Sequence, residues 1–320
     1  TLFPYTTLFR SACGSHGTSM FPFMPDITGI TIKMNEDGTI VFTTGTSDMG
    51  NGSVTTQCML ISEVLGIPLD HIAYIKTDTD AAMSDLGAYA SRGTYTSGHA
   101  AVKTAQIMRD KIAVLAAELL DTTTDNLDFH DDAVWCVDIH RKFVSMKEIA
   151  VHAREKHQED LSCSYMFHSE AGPMSSGAHF AKVQVDTVTG GIKVLEYAAV
   201  HDVGRVVNPM GITGPLEGGI SMGLGYALCE EMKLDSTGRN QTSSFKKYHI
   251  LNVKEMPKLS VDFLDSEEET GPYGAKSIGE CAVVPVAPAI ANAVSNAVGR
   301  QFYKLPIRPE DVLEALSLVK

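Results

Sequence analysis

The 320-residue chain has no CxxC pair, and its six cysteines, Cys13, Cys58, Cys136, Cys163, Cys229 and Cys281, stand far apart. That pattern argues against an iron–sulfur cluster or a cysteine-built zinc site, and it suits a reduced, cytoplasmic protein better than a disulfide scaffold. Positive charge is also scarce. With 26 Lys+Arg against 39 Asp+Glu the formal charge is −13, which weighs against nucleic acid and against an anionic membrane surface as partners. No long hydrophobic run occurs. The most apolar stretch, Cys281 to Val298, is broken by Pro285, Pro288, Asn292 and Asn296, whereas a membrane span needs about 20 mostly apolar residues. A G-x-x-x-x-G-K-[ST] phosphate loop is absent too. What remains is 44% hydrophobic and 20% charged residues, enough for a large core, and roughly 150 residues per domain gives about two domains.

The first eleven residues, Thr1-Leu-Phe-Pro-Tyr-Thr-Thr-Leu-Phe-Arg-Ser11, match one reading frame of a widely used DNA-sequencing adapter. They lack the basic start and apolar run of a signal peptide. Residues 1–11 are therefore set aside as artefactual. They are expected to pack on nothing specific, and the reading frame is expected to be truncated, with the natural protein beginning upstream.

From Gly29, alternation of Ile30, Ile32 and Met34 with polar residues, a turn at Asn35–Gly38 and a return over Thr39–Thr44 predict a hairpin. Ser53 is placed as the cap of a helix that Gly66 stops. A short strand is expected over Asp70–Thr77 and a long helix over Gly98–Leu120. Ser145 and Glu148 spell a capping box before a short helix ending near Lys156. A second hairpin is expected over Phe180–Asp186 and Ile192–Val200, then a Gly-rich helix over Leu216–Glu231 and helices over Val286–Val298 and Pro309–Val319. Hairpins mixed with helices predict an α+β fold with mixed sheets. Its two halves are placed at residues 12–165 and 166–320.

Four segments carry possible chemistry. Thr46-Ser-Asp-Met-Gly-Asn-Gly-Ser53 sits where a strand hands over to a helix, so glycines and free N–H groups could receive an anion; an ordinary tight turn reads the same way. Gly87-Ala-Tyr-Ala-Ser-Arg-Gly-Thr94 could wrap a phosphate or a flat ring, or merely pack closely. Within it Arg92 is either a phosphate or substrate partner or an ion-paired arginine. In His201-Asp-Val-Gly-Arg-Val-Val-Asn-Pro209, followed by Gly214-Pro-Leu-Glu-Gly-Gly219, the His and Asp could serve acid–base work, but a satisfied polar pair at a strand end is preferred. In Gly274-Ala-Lys-Ser-Ile-Gly-Glu280 the flanking glycine and apolar neighbours suit a poorly solvated carboxylate projecting into a cavity, as a general base requires; a solvated loop Glu reads equally well. Two further patterns are set aside. Gly219-Ile-Ser-Met-Gly223 lacks the strand a nucleophile elbow needs. His152 and His157 are not H-E-x-x-H, and their spacing does not put both rings on one helical face.

As an ordered set, these segments resemble the molybdenum hydroxylase family, which includes xanthine dehydrogenase and aldehyde oxidase. The resemblance covers essentially residues 12–320 and corresponds to the second, C-terminal molybdopterin-binding region of the large subunit. Gly271–Glu280 is most similar to xanthine dehydrogenase-like and purine hydroxylase-like members. The resemblance implies a molybdenum–molybdopterin cofactor, often the cytosine dinucleotide form in bacteria, with no protein side chain on the metal. Met49, Gly50, Asn51, Gly52, Ala90, Ser91, Arg92, Gly93, Thr94 and position 215 would hold it. Glu280 falls on the catalytic glutamate, the base in an oxidative hydroxylation that takes its oxygen from water. [2Fe–2S] centres and FAD are implied on partner domains or subunits, as is a first cofactor-binding region missing from this chain. The implied substrate is a purine or related N-heterocycle, with an aldehyde, or a non-catalytic cofactor-binding role, as the alternatives. The chain alone is expected to be inactive. Two positions depart from the family: Asn51 stands where Gln is usual, and Pro215 stands where Gln is usual, with neither a side-chain amide nor a backbone N–H.

Overall fold

The computed structural model describes residues 5–75, 77–139, 141–264 and 266–319. Its first core grows from the expected hairpin. Strands β2 (Ile27–Met34) and β3 (Ile40–Thr44) pair antiparallel, with Ile30 opposite Thr44 and Met34 opposite Ile40. The period-2 pattern turns Ile30, Ile32, Ile40 and Phe42 to one buried face. Strand β4 (Ile72–Ile75) adds parallel to β3, and β8 (Ser162–His168) adds antiparallel to β2, for the order β4-β3-β2-β8. Helices α1 (Ser53–Leu65) and α2 (Gly98–Leu120) cover this sheet, placing Ile61, Leu65, Met108 and Ile112 in the core. Gly66 ends α1 at φ 66°, as only glycine does cheaply. A small sheet of β5 (Leu127–His130), β6 (Ala133–Cys136) and β7 (Phe143–Ser145) follows. Helix α3 (Met146–His152) then starts on the predicted reciprocal cap between Ser145 and Glu148, a device worth about 1 kcal/mol.

The second core lies under the sheet β1-β9-β10-β11, made of β1 (Tyr5–Gly17), β9 (Met174–Asp186), β10 (Ile192–Asp202) and β11 (Lys258–Phe263). Helices α4 (Pro209–Leu228), α5 (Val286–Val298) and α6 (Pro309–Val319) pack with it, burying Val183, Val185, Leu216, Ile220, Ile290 and Val294. The stretch Glu280–Val298 is long and apolar enough to cross a membrane by composition, with mean hydropathy 1.5. Here its helix is a core element, wedged against β1, β9 and α4. Helix α4 starts seven residues before the expected Leu216. Asn208 caps it, accepting from Gly211 N at 3.0 Å, and Pro209 takes the first helical position. That leaves Pro215 inside the helix.

The N-terminal segment corrects an expectation. Thr1–Pro4 lie outside the described residues, but Tyr5–Ser11 do not dangle. They form the first seven rungs of β1 along β9, from Tyr5 opposite Asp186 to Ser11 opposite Phe180. Phe9 stacks on Phe180 with ring centroids 5.7 Å apart, and Asn292 Nδ2 donates to Ser11 O at 3.0 Å. The physical reason is that an open strand edge accepts any β-prone backbone, and Tyr-Thr-Thr-Leu-Phe is such a segment whatever the origin of its codons. Strand β1 also takes residues 12–17 from the first interval into the second sheet. Deleting residues 1–11 is expected to cost more than about 1 kcal/mol through the lost ladder and ring pair, read as a lower urea midpoint at unchanged slope. A shift within about 0.5 kcal/mol, the range of featureless surface changes, would show that these rungs contribute nothing.

Candidate functional site

The four segments singled out above meet around one cavity of about 430 Å³, the third through Gly214–Gly219 and not through His201–Pro209, and its lining includes Met49, Asn51, Ser91 to Thr94, Pro215 and Glu280. Gly50 and Gly52 lie on the turn beside it, and both have positive φ. Ala90, next to Ser91, is not among the lining residues.

The turn before α1 is organised by Asp48, a residue not singled out from the sequence. Its carboxylate accepts from Gly50 N at 2.9 Å, Gly52 N at 3.2 Å and Val54 N at 3.4 Å. The helix N-terminus is thus satisfied from within the chain, as Asp does at such positions. Ser53 is the first helical residue, with Gly52 as the cap. Asn51 turns its carbonyl oxygen to Ser53, accepting from the backbone N at 3.2 Å and from Oγ at 2.9 Å. What Asn51 has left to offer the cavity is its NH₂ group.

The second wall is strained. Ala90 and Ser91 stand consecutively in the left-handed region, at φ 49° and 48°, a conformation that costs non-glycine residues energy and tends to mark functional turns. Arg92 holds the turn from beneath. Its guanidinium is 1% exposed and binds Asp26 Oδ1 (2.6 Å), Asp85 Oδ1 (3.0 Å), Gly87 O (3.0 Å), Ile27 O (2.6 Å) and Thr28 Oγ1 (2.6 Å). All five donors are used inside the protein. The expectation that Arg92 reaches a phosphate or substrate therefore fails for its side chain, and the ion-paired alternative holds. A buried guanidinium cannot stand unpaired, so Asp26, just ahead of β2, and Asp85, seven residues before Arg92, claim it.

Glu280 enters from the opposite side. Ser91 Oγ donates to Glu280 Oε2 and accepts from Glu280 N at 3.1 Å, so one hydroxyl fixes both ends of the residue. His16 Nδ1 stands 3.9 Å from the same carboxylate oxygen. Gly279 makes the approach possible, because a Cβ there would lie 2.9 Å from Ser91 Oγ. The glutamate side chain is 44% exposed. The expected poor solvation is not met, because Gly279 and the cavity mouth leave one side open; Cys281 and Ala282, the apolar neighbours, turn into the core instead. Tyr95 N donates to Ser277 Oγ at 2.7 Å and ties the strained turn to the Glu280 segment.

His201 and Asp202 take the preferred structural roles. Asp202 pairs with Lys276 Nζ at 2.8 Å and accepts from Ser266 Oγ at 2.6 Å. His201 is fully buried and meets His179 Nε2 at 2.7 Å, while His179 Nδ1 meets the Tyr197 hydroxyl at 2.9 Å. Gly177 makes room, since a Cβ there would strike the His201 ring at 2.3 Å. Burial pushes His201 down to about 4, and burial followed by the neighbouring His201 pushes His179 down to about 3. Above the unfolded value near 6.5 both rings are neutral in both states. As pH falls below about 6.5 only the unfolded chain binds protons, so stability is lost progressively, down to about pH 4 for His201 and about pH 3 for His179, by up to about 1.4 kcal/mol per pH unit for each ring. Urea midpoints at about pH 7 and about pH 5 should therefore differ more for the natural chain than for His179→Gln/His201→Gln; equal differences would remove the buried pair as the cause.

Gly219–Gly223 lies inside α4, so the elbow-like pattern there is helix interior. Asp26 and His16 were not found from sequence, because each is tied to its partner through the fold; Asp48 and Asp85 bond within a few residues, and Asp48, an Asp four residues ahead of Gly52, carried a local capping signal.

Residues 9–257 match the family model of the molybdopterin cofactor-binding domain. The chain is 31% identical over 312 residues to the putative xanthine dehydrogenase molybdenum-binding subunit XdhA of Escherichia coli K12, covering 96% of this chain and 42% of that protein. It is 34% identical over 303 residues to the probable hypoxanthine oxidase XdhD of the same organism, covering 92% and 31% respectively. The structure of reconstituted CO dehydrogenase from Oligotropha carboxidovorans superposes with a TM-score of 0.92 at 25% identity, over 99% of this chain and 42% of that one. The chain thus spans less than half the length of each. A match over most of its residues, with the same α+β architecture, places this chain in the molybdopterin cofactor-binding domain family of the molybdenum hydroxylases.

Proposed function

We propose that this chain is the C-terminal molybdopterin-binding part of a xanthine dehydrogenase-like hydroxylase, acting on a purine or related N-heterocycle, with Glu280 as its base. The observation that carries the reading is the Ser91–Glu280 pair at the meeting point of all four segments. The cavity fits a flat, polar cofactor. Gly218 lines it with nothing within 4 Å of a would-be Cβ, so a ligand can approach the backbone. The Asn51 NH₂ and the Thr94 hydroxyl offer polar contacts, while Pro215 offers only apolar surface. The residues that would hold the group are Met49–Gly52 and Ala90–Thr94, with Arg92 positioning the turn rather than touching it. When bound, the molybdenum–pterin group, here proposed in its cytosine dinucleotide form, supplies the two-electron redox step.

The chain's own part is proton handling. Ser91 holds Oε2 in place, leaving Oε1 to take a proton from the oxygen nucleophile as it forms the bond to carbon. Partner [2Fe–2S] and FAD domains or subunits, and a first cofactor-binding region, complete the proposed enzyme, which we place in the cytoplasm. This chain alone, with half the cofactor site, is proposed to be inactive. The test is to extend the reading frame upstream of the adapter-like segment, express the whole enzyme with its partners, and compare xanthine, hypoxanthine and aldehyde turnover alongside molybdenum content. Bound molybdenum with aldehyde turnover and no purine turnover would move the substrate to the aldehyde class. Absence of bound molybdenum would end the cofactor reading.

A further inference from the structure

His152 and His157 were set aside because five residues along an α-helix rotate the second ring about 140° away from the first. The fold removes that objection. Helix α3 stops at His152, and Ala153–His157 continue as a π turn before Gln158 closes it at φ 54°. Bonding between residues five apart stacks such residues on one face, and single π turns are frequent at functional sites. The two rings end up 5.3 Å apart, at 70° to each other. Both aim at one carboxylate on the last turns of α2: His157 Nε2 is 2.8 Å and His152 Nε2 is 3.3 Å from Glu118 Oε2.

The three ligand atoms lie within 4.8 Å of one another. Zinc bonds of about 2.0–2.1 Å in a tetrahedron set neighbouring ligand atoms about 3.3 Å apart, so little movement is needed to admit an ion. His152 Nε2 is shut off from solvent and makes no hydrogen bond among the described residues, although it faces the carboxylate. In the tautomer with its proton on Nδ1, His152 Nε2 and Glu118 Oε2 face each other as two acceptors, an arrangement that a cation between them satisfies. Lys156 occupies the other oxygen, Oε1, leaving Oε2 to the two histidines. None of these residues lines the cavity that Glu280 enters.

We propose that Glu118, His152 and His157 form a second, independent site for a divalent transition metal of the zinc class, with the fourth position left to water. Two imidazoles and one carboxylate suit such an ion better than magnesium or calcium, which prefer all-oxygen sets. The ion would tie the end of α2 to the turn after α3.

The test uses the tag-free chain, stripped with chelator and titrated with Co²⁺ as a spectroscopic probe, then with Zn²⁺ in competition. One equivalent of Co²⁺ should bind at micromolar concentration with the visible absorption of a tetrahedral nitrogen–oxygen site, and Zn²⁺ should displace it. His157→Gln, at a 38% exposed side chain that folding tolerates, should weaken binding at least about 100-fold, because loss of a direct ligand exceeds the 10–100-fold typical of outer-sphere partners. Lys156→Met should tighten it by removing the competing cation. Metal-free unfolding curves of both variants should overlay that of the natural chain. Absence of the one-equivalent signal, or an affinity unchanged in both His157→Gln and His152→Gln, would overturn the site.

Discussion

Replacing Glu280 with glutamine in the full-length enzyme is expected to lower turnover at least about 100-fold, or roughly 2.7 kcal/mol of barrier, with molybdenum content near that of the natural protein. Glutamine keeps the length and shape, and its amide oxygen can still accept from Ser91 Oγ, as Glu280 Oε2 does. The substitution removes only the ability to hold a proton. A positioned base is worth about 10² to 10⁴-fold, and one that generates the nucleophile should exceed the low end. Single-turnover reduction of the cofactor, monitored beside metal analysis, separates chemistry from assembly. If more than a tenth of the rate survives, the loss is under about 1.4 kcal/mol, and Glu280 is then a structural residue whose pairing with Ser91 merely closes the loop.

The second large effect is structural. Arg92→Met is expected to cost about 3–5 kcal/mol, the range for breaking a buried ion pair from one side. The two carboxylates it abandons, Asp26 and Asp85, are 0% and 1% exposed, so neither can recover its lost partner from water. The strained Ala90–Ser91 turn would lose its anchor at the same time, since the guanidinium also binds Gly87 O. Urea unfolding measures the loss. Adding Asp26→Asn and Asp85→Asn to Arg92→Met should recover part of it, because no uncompensated charge is then buried. A triple variant no more stable than Arg92→Met would show that the cost lies in packing rather than in charge.

Much of the site was legible because its residues are sequential. Gly50–Gly52, Ala90–Thr94 and Gly279–Glu280 are short runs whose small side chains announce a close approach, and their order along the chain carries the family likeness. The elements with strong local signals also appeared as read: the β2–β3 hairpin from its alternation, α2 from its period, α3 from its reciprocal cap, α6 from Pro309. Strands β5 to β8 and β11 were not marked, since short, half-exposed strands such as Lys258–Phe263 are specified by the neighbour that offers an edge.

By itself, then, the sequence determined what depends on local periodicity, capping and short glycine-bearing runs: an α+β chain, two hairpins, and the identity of the segments around the cavity. Tertiary structure alone decided which atoms face one another. It gave Tyr5–Ser11 an edge to pair with, buried Arg92 between nearby Asp85 and the distant Asp26, put a serine hydroxyl on Glu280, and rotated His157 beside His152 through a π turn. Each of these depends on a partner far away in sequence or on a backbone geometry that adjacent residues do not dictate. A side chain's role follows from the groups that desolvate or bond it, and those are fixed only when the chain has closed around them.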